Sequence, residues 1–281
     1  MPYPNSPVIV PKTKKRKTRD RKLNEDPEVK EFERLIKCHQ VAKEIYFNSK
    51  VDDLIIKKNR LFGIIINGEK IVKTDNLILA TGHSARDIYY MLKKKKIKLE
   101  LKEIAVGVRI EHEQNLINKI QYHSKYNKEY LPPASYNINT KIDGRSIHSF
   151  CMCPGGIIAP CATNNDELVT NGWSPSKRDN KNANSGIIVQ LKKEDFNYKK
   201  YKEFASLEFQ KKLERKAYIL SDKSQKVPAQ RVTDFINDKL STGIPKTSYL
   251  PGTVSVKLSY LFPNYIYYLY ISINIHTSTK V

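Results

Sequence analysis

The sequence predicts an α/β fold of α+β character with a large β component, on three observations. Short, β-branched apolar runs between residues 45 and 80 are broken by turn signals, the spacing of strands and hairpins. The stretch "NLILATGHSARDIYYML", residues 76 to 92, reads as a buried strand, a tight turn and a helix start. A second β-rich region runs from about 134 to 192 and precedes a helical repeat of apolar residues. With 281 residues the chain is long enough to bury a core without disulfides.

Taken in order, "MPYPNSPVIVP" and "KTKKRKTRDRK" read as a mobile basic arm. "DPEVKEFERLIKCHQVAK" then predicts a helix: Asp26 caps it, Pro27 suits its first turn, and Val29, Phe32, Leu35 and Ile36 share one face. Strands are expected near 45 to 48, 51 to 57, 60 to 66, 69 to 73 and 76 to 80, separated at "KKNR" and at Asn67-Gly68, a strong hairpin signal. A helix is expected from near Ser84. Further strands follow in "KKKKIKLELKEIAVGVRIEHEQ" and a short helix in "NLINKIQY". "RSIHSFCMC", "GIIAPCAT", "ELVTNGW" and "SGIIVQL" read as strands. In "KKYKEFASLEFQKKLERKAYIL", Phe204, Leu207, Leu213 and Ala217 fall at helical spacing. From "KVPAQRVTDFIND" onward the chain reads as loop-rich, ending in a divergent tail at 241 to 281.

Composition excludes more than it selects. Net charge is +21, from 50 basic and 29 acidic residues, which favours anionic partners through a general field. The charge is diffuse except at residues 12 to 22, read as a solvated arm or as a nucleic-acid or sorting signal. No aromatic interleaving or recognition motif accompanies it, so no specific nucleic-acid partner is expected. With no secretory leader at the start, Cys38, Cys151, Cys153 and Cys161 are read as reduced thiols of a cytoplasmic protein. No second Cys or His pair completes a zinc site, and no metal is expected. The uncharged stretch from Leu258 to Thr279 is interrupted by Pro263, Asn264, Ser272 and Asn274, so no membrane span is expected.

Several residues are candidates for chemistry. Leu77 to Ala80 form a continuous apolar run that Thr81 and Gly82 terminate. Gly82 lets a ligand approach the backbone, and the helix N-terminus beyond it offers amides to negative charge. His83 is a donor to a phosphate or ribose, or a helix-capping partner of Ser84. Cys151 and Cys153 alternate with Met152 and so share a strand face, as buried thiols or as a redox pair. In "RIEHEQ", Arg109, Glu111 and Glu113 fall on one strand face and His112 on the other. Arg178 and Asn184 in the loop "NGWSPSKRDNKNANSG" suit substrate polar groups, and Gln230 and Arg231 in "PAQR" suit an anionic group or a loop anchor.

"LILATGHSARDIYYML", "AVGVRIEHEQNLINKIQY", "LPPASY", "HSFCMCPGGIIAPCAT", "VTNGWSPSKRDNKNANSGIIV", "EFQKKLERKA" and "VPAQRVTDF" occur in this order. Together they resemble the family of NAD(P)/FAD-dependent dehydrogenases carrying the FAD-dependent protein C-terminal domain, over roughly residues 44 to 263. The resemblance implies an incomplete FAD/NAD(P)-binding Rossmann-like domain at 41 to 98, after an arm and helix at 1 to 40. It implies an inserted mixed β-sheet substrate domain at 99 to 240. It places Val51, Thr81, Gly82 and His83 beside FAD, and Cys153, Pro154, Gly155 and Gly156 near the reacting face of the flavin. Cys153 and Arg231 become candidate catalytic residues, with NAD(P)H as a candidate electron donor and an unidentified small-molecule substrate.

The chain departs from the family where phosphate is held. Neither the strand-GxGxxG-helix unit nor the "GEGAGYAGG" segment of the family is present in this sequence. Three readings follow: a FAD-dependent oxidoreductase with weakened cofactor binding, a non-catalytic fragment that needs a complementing polypeptide, and, on residues 12 to 22 and total charge alone, a basic nucleic-acid-binding protein.

Overall fold

The structure is a computed structural model that describes residues 8–9, 45–123 and 130–278. The basic run at 12 to 22, the helix expected at 26 to 43 and Cys38 lie outside the described residues. The chain divides into two compact units, Met1–Leu99 and Glu100–Val281.

In the first unit β1 (Val8–Ile9) pairs antiparallel with β2 (Ile45–Tyr46). Strands β3 (Val51–Lys57), β4 (Arg60–Ile66) and β5 (Lys70–Lys73) form an antiparallel meander. Both hairpins turn through consecutive left-handed residues, Lys58 and Asn59 at φ 46° and 60°, then Asn67 and Gly68 at φ 51° and 76°. Paired positive φ angles match the right-handed twist of the flanking strands, which is why Asn and Gly occupy them. Leu54, Ile64 and Ile66 form a small core, against which Met91 and Leu92 of helix α1 (Arg86–Lys94) pack. Lys95 Nζ closes the edge of this core with a 2.7 Å bond to Asp53 Oδ2.

The strand expected at 76 to 80 is absent; those residues are extended coil and Ile78 is 90% exposed. An isolated strand gains nothing from its polar backbone without a ladder, and the described residues supply none beside it. All the described pairings of this unit are antiparallel. Among the described residues the observed architecture is α+β.

The second unit is built on an antiparallel four-stranded sheet ordered β6-β11-β8-β7, from β6 (Ile104–Glu113), β7 (Asn139–Ile142), β8 (Arg145–Cys153) and β11 (Asn182–Leu191). Helix α2 (Gln114–Tyr122) follows β6 directly. Strands β9 (Ile157–Pro160) and β10 (Thr170–Trp173) make a separate hairpin ladder. Helices α3 (Tyr198–Tyr201) and α4 (Ala205–Leu220) follow β11, and the predicted single helix breaks between them where Lys202 adopts φ 51°. β12 (Val227–Ala229) pairs parallel with β13 (Thr253–Ser255), and α5 (Val232–Ile236) lies between them in sequence.

One face of the sheet carries Val106, Ile147, Val189 and Leu191 into the core with Ala205 and Ala217 of α4. Each fully buried aliphatic side chain contributes about 1.5–3 kcal/mol relative to exposure. The tail expected to be loop-rich instead forms α6 (Asn264–Ser278), whose Ile266, Leu269 and Tyr270 complete that core. The Tyr270 hydroxyl lies 3.1 Å from the carbonyls of both Val106 and Ile187, and burial pushes its pKa far up. α6 begins at Asn264 and runs through Ser272, and among the described residues no helix is long and apolar enough to cross a membrane.

Candidate functional site

Strand β6 is at the edge of its sheet, and a cleft of about 1510 Å³ opens along it. Another wall comes from residues 227–233, 235–236 and 244–247, and the apolar floor includes Leu213, Leu261 and Phe262. Residues of both faces of β6 border this space. Arg109 and Glu111 project on one face, and Ile110 and His112 on the other.

Arg109 is held by Nη1, which donates to Asn184 Oδ1 at 2.6 Å and to the Cys151 carbonyl at 3.3 Å. Gly172 on β10 makes room for it: a Cβ there would lie 2.1 Å from Arg109 Nη1 and 2.5 Å from Asn184 Oδ1. Asn184 is fully buried, and its Nδ2 has no partner. Glu111 accepts from the Ser248 backbone N at 3.1 Å and from the Ser248 hydroxyl, while Ser248 Oγ accepts from Ile158 N at 2.9 Å. A chain of polar contacts therefore ties β6 to β9 through the 244–249 loop. On the other face His112 Nε2 lies 3.0 Å from the Tyr136 hydroxyl. Burial lowers the His112 pKa and raises that of Tyr136, so both are neutral at pH 7.

The residues predicted from sequence fall into separate places. Val51, Thr81, Gly82 and His83 belong to the first unit. Val51 is half-buried opposite Ile66, whereas Thr81, Gly82 and His83 are exposed. Gly82 has φ 76° with open space where a Cβ would be, and His83 Nε2 sits 3.3 Å from Ser84 Oγ. The N-cap of α1 is Ala85, which makes no side-chain cap hydrogen bond. Cys153, Pro154, Gly155 and Gly156 belong to the second unit and are buried there. A Cβ on Gly155 would meet the Arg178 carbonyl at 1.8 Å, and one on Gly156 the Trp173 carbonyl at 2.5 Å. The Gly155 amide is already used by Gln114 Oε1 at 2.7 Å. These glycines permit close packing and do not line the cleft.

The shared face expected for Cys151 and Cys153 is broken by a β-bulge. Asn184 pairs with Cys153 and Gly186 with Phe150, so Cys151 and Met152 together oppose Ser185. Cys151, at φ 44°, turns out to solvent while Cys153 points inward, and both thiols are free. In "PAQR", Gln230 is the anchor, donating to the Lys239 carbonyl at 2.6 Å and accepting from Leu258 N at 2.8 Å. Arg231 fixes its backbone N on Ser241 Oγ at 2.9 Å and presents an exposed side chain at the cleft. Sequence reasoning missed Ser248 and Lys246, because a lone Ser or Lys in a loop carries no periodic signal. Among the described residues no group of three or more His, Cys, Asp or Glu is arranged to hold a metal ion.

The second unit is thus an α+β unit with a large, partly apolar cleft bordered by fixed polar side chains. The chain belongs to the family described as FAD-dependent protein, C-terminal domain-like, whose sequence pattern matches residues 103–272, a range that takes in the first half of α6. It is also 38% identical over 231 residues to an uncharacterised protein of Clostridium beijerinckii, an alignment covering 81% of this chain and 43% of that protein. The chain thus spans less than half the length of this relative.

The described residues do not by themselves fit the phosphates of FAD. A pyrophosphate needs several converging backbone amides, as a glycine-rich turn at a helix N-terminus supplies. At the start of α1 the amides of Arg86 and Ile88 are taken by the Ser84 and Ala85 carbonyls, and Gly155 and Gly156 are packed against backbone.

Proposed function

We propose that this chain is the substrate-side part of a FAD-dependent oxidoreductase that holds FAD weakly by itself and acts with a complementing polypeptide bearing the phosphate-binding elements. The family match over residues 103–272 carries this reading. The cleft supports it: at about 1510 Å³ it exceeds the ~300–1,000 Å³ of ordinary ligand pockets, room for a small-molecule substrate beside a cofactor ring.

In this reading Arg109, positioned by Asn184, and Arg231 orient the substrate. His112, which lines the cleft and whose Nε2 lies 3.0 Å from the Tyr136 hydroxyl, moves a proton at Nε2. FAD, when bound, supplies the redox chemistry, with NAD(P)H as the proposed donor. Within the first unit Thr81, Gly82 and His83 are proposed as a separate cofactor contact, because they are exposed and Gly82 has open space where a Cβ would be.

Flavin fluorescence titration of the full chain tests this. Weak, salt-sensitive FAD binding is expected, tightening when the part of the Clostridium relative outside the alignment is added, with NADH or NADPH then bleaching the flavin band without oxygen. Stoichiometric retention of FAD by this chain alone through desalting would refute the need for a complementing part. Absence of flavin binding in both conditions would refute the oxidoreductase reading.

The second reading, a fragment with no catalytic role, draws on the unpaired apolar segment at 76 to 80, and predicts no flavin reduction under any of these conditions.

A further inference from the structure

We propose that the cleft along β6 binds an organic acid with an extended apolar body, its acid group on Arg231 and Lys246 near the mouth and its body on the apolar floor. The inference names a substrate class for the cleft and rests on the reading above. It follows from the charges that line the space. Each acidic side chain there is already satisfied: Glu111 by Ser248, Glu113 by Lys181 at 3.4 Å, and Glu214 by Gln210 Nε2 at 2.7 Å.

Arg109, like Glu111 and Glu214, bonds to neutral groups, and Lys181 pairs with Glu113; Arg231 and Lys246 are the lining cations that make no ion pair with a described carboxylate. Both are exposed, so their charges stay hydrated until an anion arrives. Arg109 is fixed on Asn184 Oδ1 and the Cys151 carbonyl and so leaves the acid group to Arg231 and Lys246.

Much of the remaining lining is apolar. Val227, Leu213, Leu261 and Phe262 offer no hydrogen bonds, and a polar or highly charged ligand would be desolvated there without compensation. A single acid head on a hydrocarbon body meets both conditions. A cationic amphiphile meets only the second, because it would place its charge against Arg231 and Lys246.

Isothermal titration calorimetry of the full chain with decanoate, decanol and decyltrimethylammonium tests the assignment without any flavin, so its failure is separable from failure of the flavin titration. Decanoate is expected to bind at one site about tenfold more tightly than decanol, the cation more weakly than either, because a hydrogen bond to a charged partner is worth about that factor. The exposed double variant Arg231→Gln/Lys246→Gln is expected to lose the tenfold preference while decanol binding stays unchanged. Lys141→Gln, on β7 and outside the cleft, is expected to alter neither. Equal affinities for decanoate and decanol, no decanoate binding, several equivalents bound, or a preference that survives the double variant would each overturn the proposal.

Discussion

The two units treat the same kind of sequence signal differently. "IIVQL" in the second unit and "LILA" in the first are both short apolar runs. In β11, Val189 and Leu191 are fully buried between β6 and β8, whereas Ile78 is 90% exposed in coil. Apolar content did not decide the outcome. A central strand needs ladder partners on both sides, and β11 has them while residues 76 to 80 have none among the described residues. The lesson is that strand propensity is realised by neighbours.

Removing a neighbour from the well-supported unit should have the largest effect. Deleting residues 264 to 281 takes Ile266, Leu269 and Tyr270 from the core. Hydrogen exchange at β11 amides is then expected to rise to the rate of an unfolded chain; persistent protection would mean α6 is dispensable. Next comes the bidentate pair of Arg145 with Asp195, whose bonds measure 2.5 and 2.8 Å. Asp195→Asn leaves a half-buried guanidinium without its countercharge and is expected to cost about 3–5 kcal/mol in urea unfolding of the second unit.

Electrostatic effects should be smaller and show different pH windows in the two units. In the first, burial raises the Asp53 pKa, but Lys95 and the Leu54 amide outweigh it and leave it depressed. A depressed carboxylate stabilises above its unfolded pKa and loses that contribution as pH falls through the folded value. Asp53→Asn is therefore expected to destabilise this unit by about 0.2–1 kcal/mol at pH 7 and by nothing in strong acid. In the second, burial holds the folded pKa of His112 below the ordinary 6.5. The unfolded chain takes up the proton first, so stability should fall as pH drops below about 6.5 and be flat above it. His112→Gln should flatten that slope in pH-dependent urea melts.

The smallest effect sharpens the comparison most. Ile78→Asp is expected to change the stability of the first unit by less than about 0.5 kcal/mol, since an exposed side chain gives up no burial. A loss several times larger would show that residues 76 to 80 are packed after all.

Much of the fold was legible in the residues themselves. Asn67-Gly68 marked its hairpin because only residues tolerant of positive φ suit that turn, and "RSIHSFCMC" and "SGIIVQL" marked β8 and β11 by apolar runs of strand length. "RIEHEQ" placed Arg109 and Glu111 on one face by period two alone, and "PAQR" singled out Arg231. The Cys151 bulge was not legible, since one extra residue in a ladder is invisible until the partner strand is known. The helical tail was hidden for a related reason: "NYIYYLYISINI" is apolar on every side and shows little periodicity.

The sequence by itself determined the turns, the alternation of β6 and the charge of the chain, because these depend on dihedral preference and side-chain chemistry within a few residues. Only the tertiary structure decided that the Pro154-Gly155-Gly156 turn is packed under Arg178 and Trp173, that Gln230 is an anchor, and that Arg231 and Lys246 share a cleft with Arg109. Those outcomes depend on which distant segments meet, and contacts between distant residues are set by the packing of the whole core, which no local pattern records.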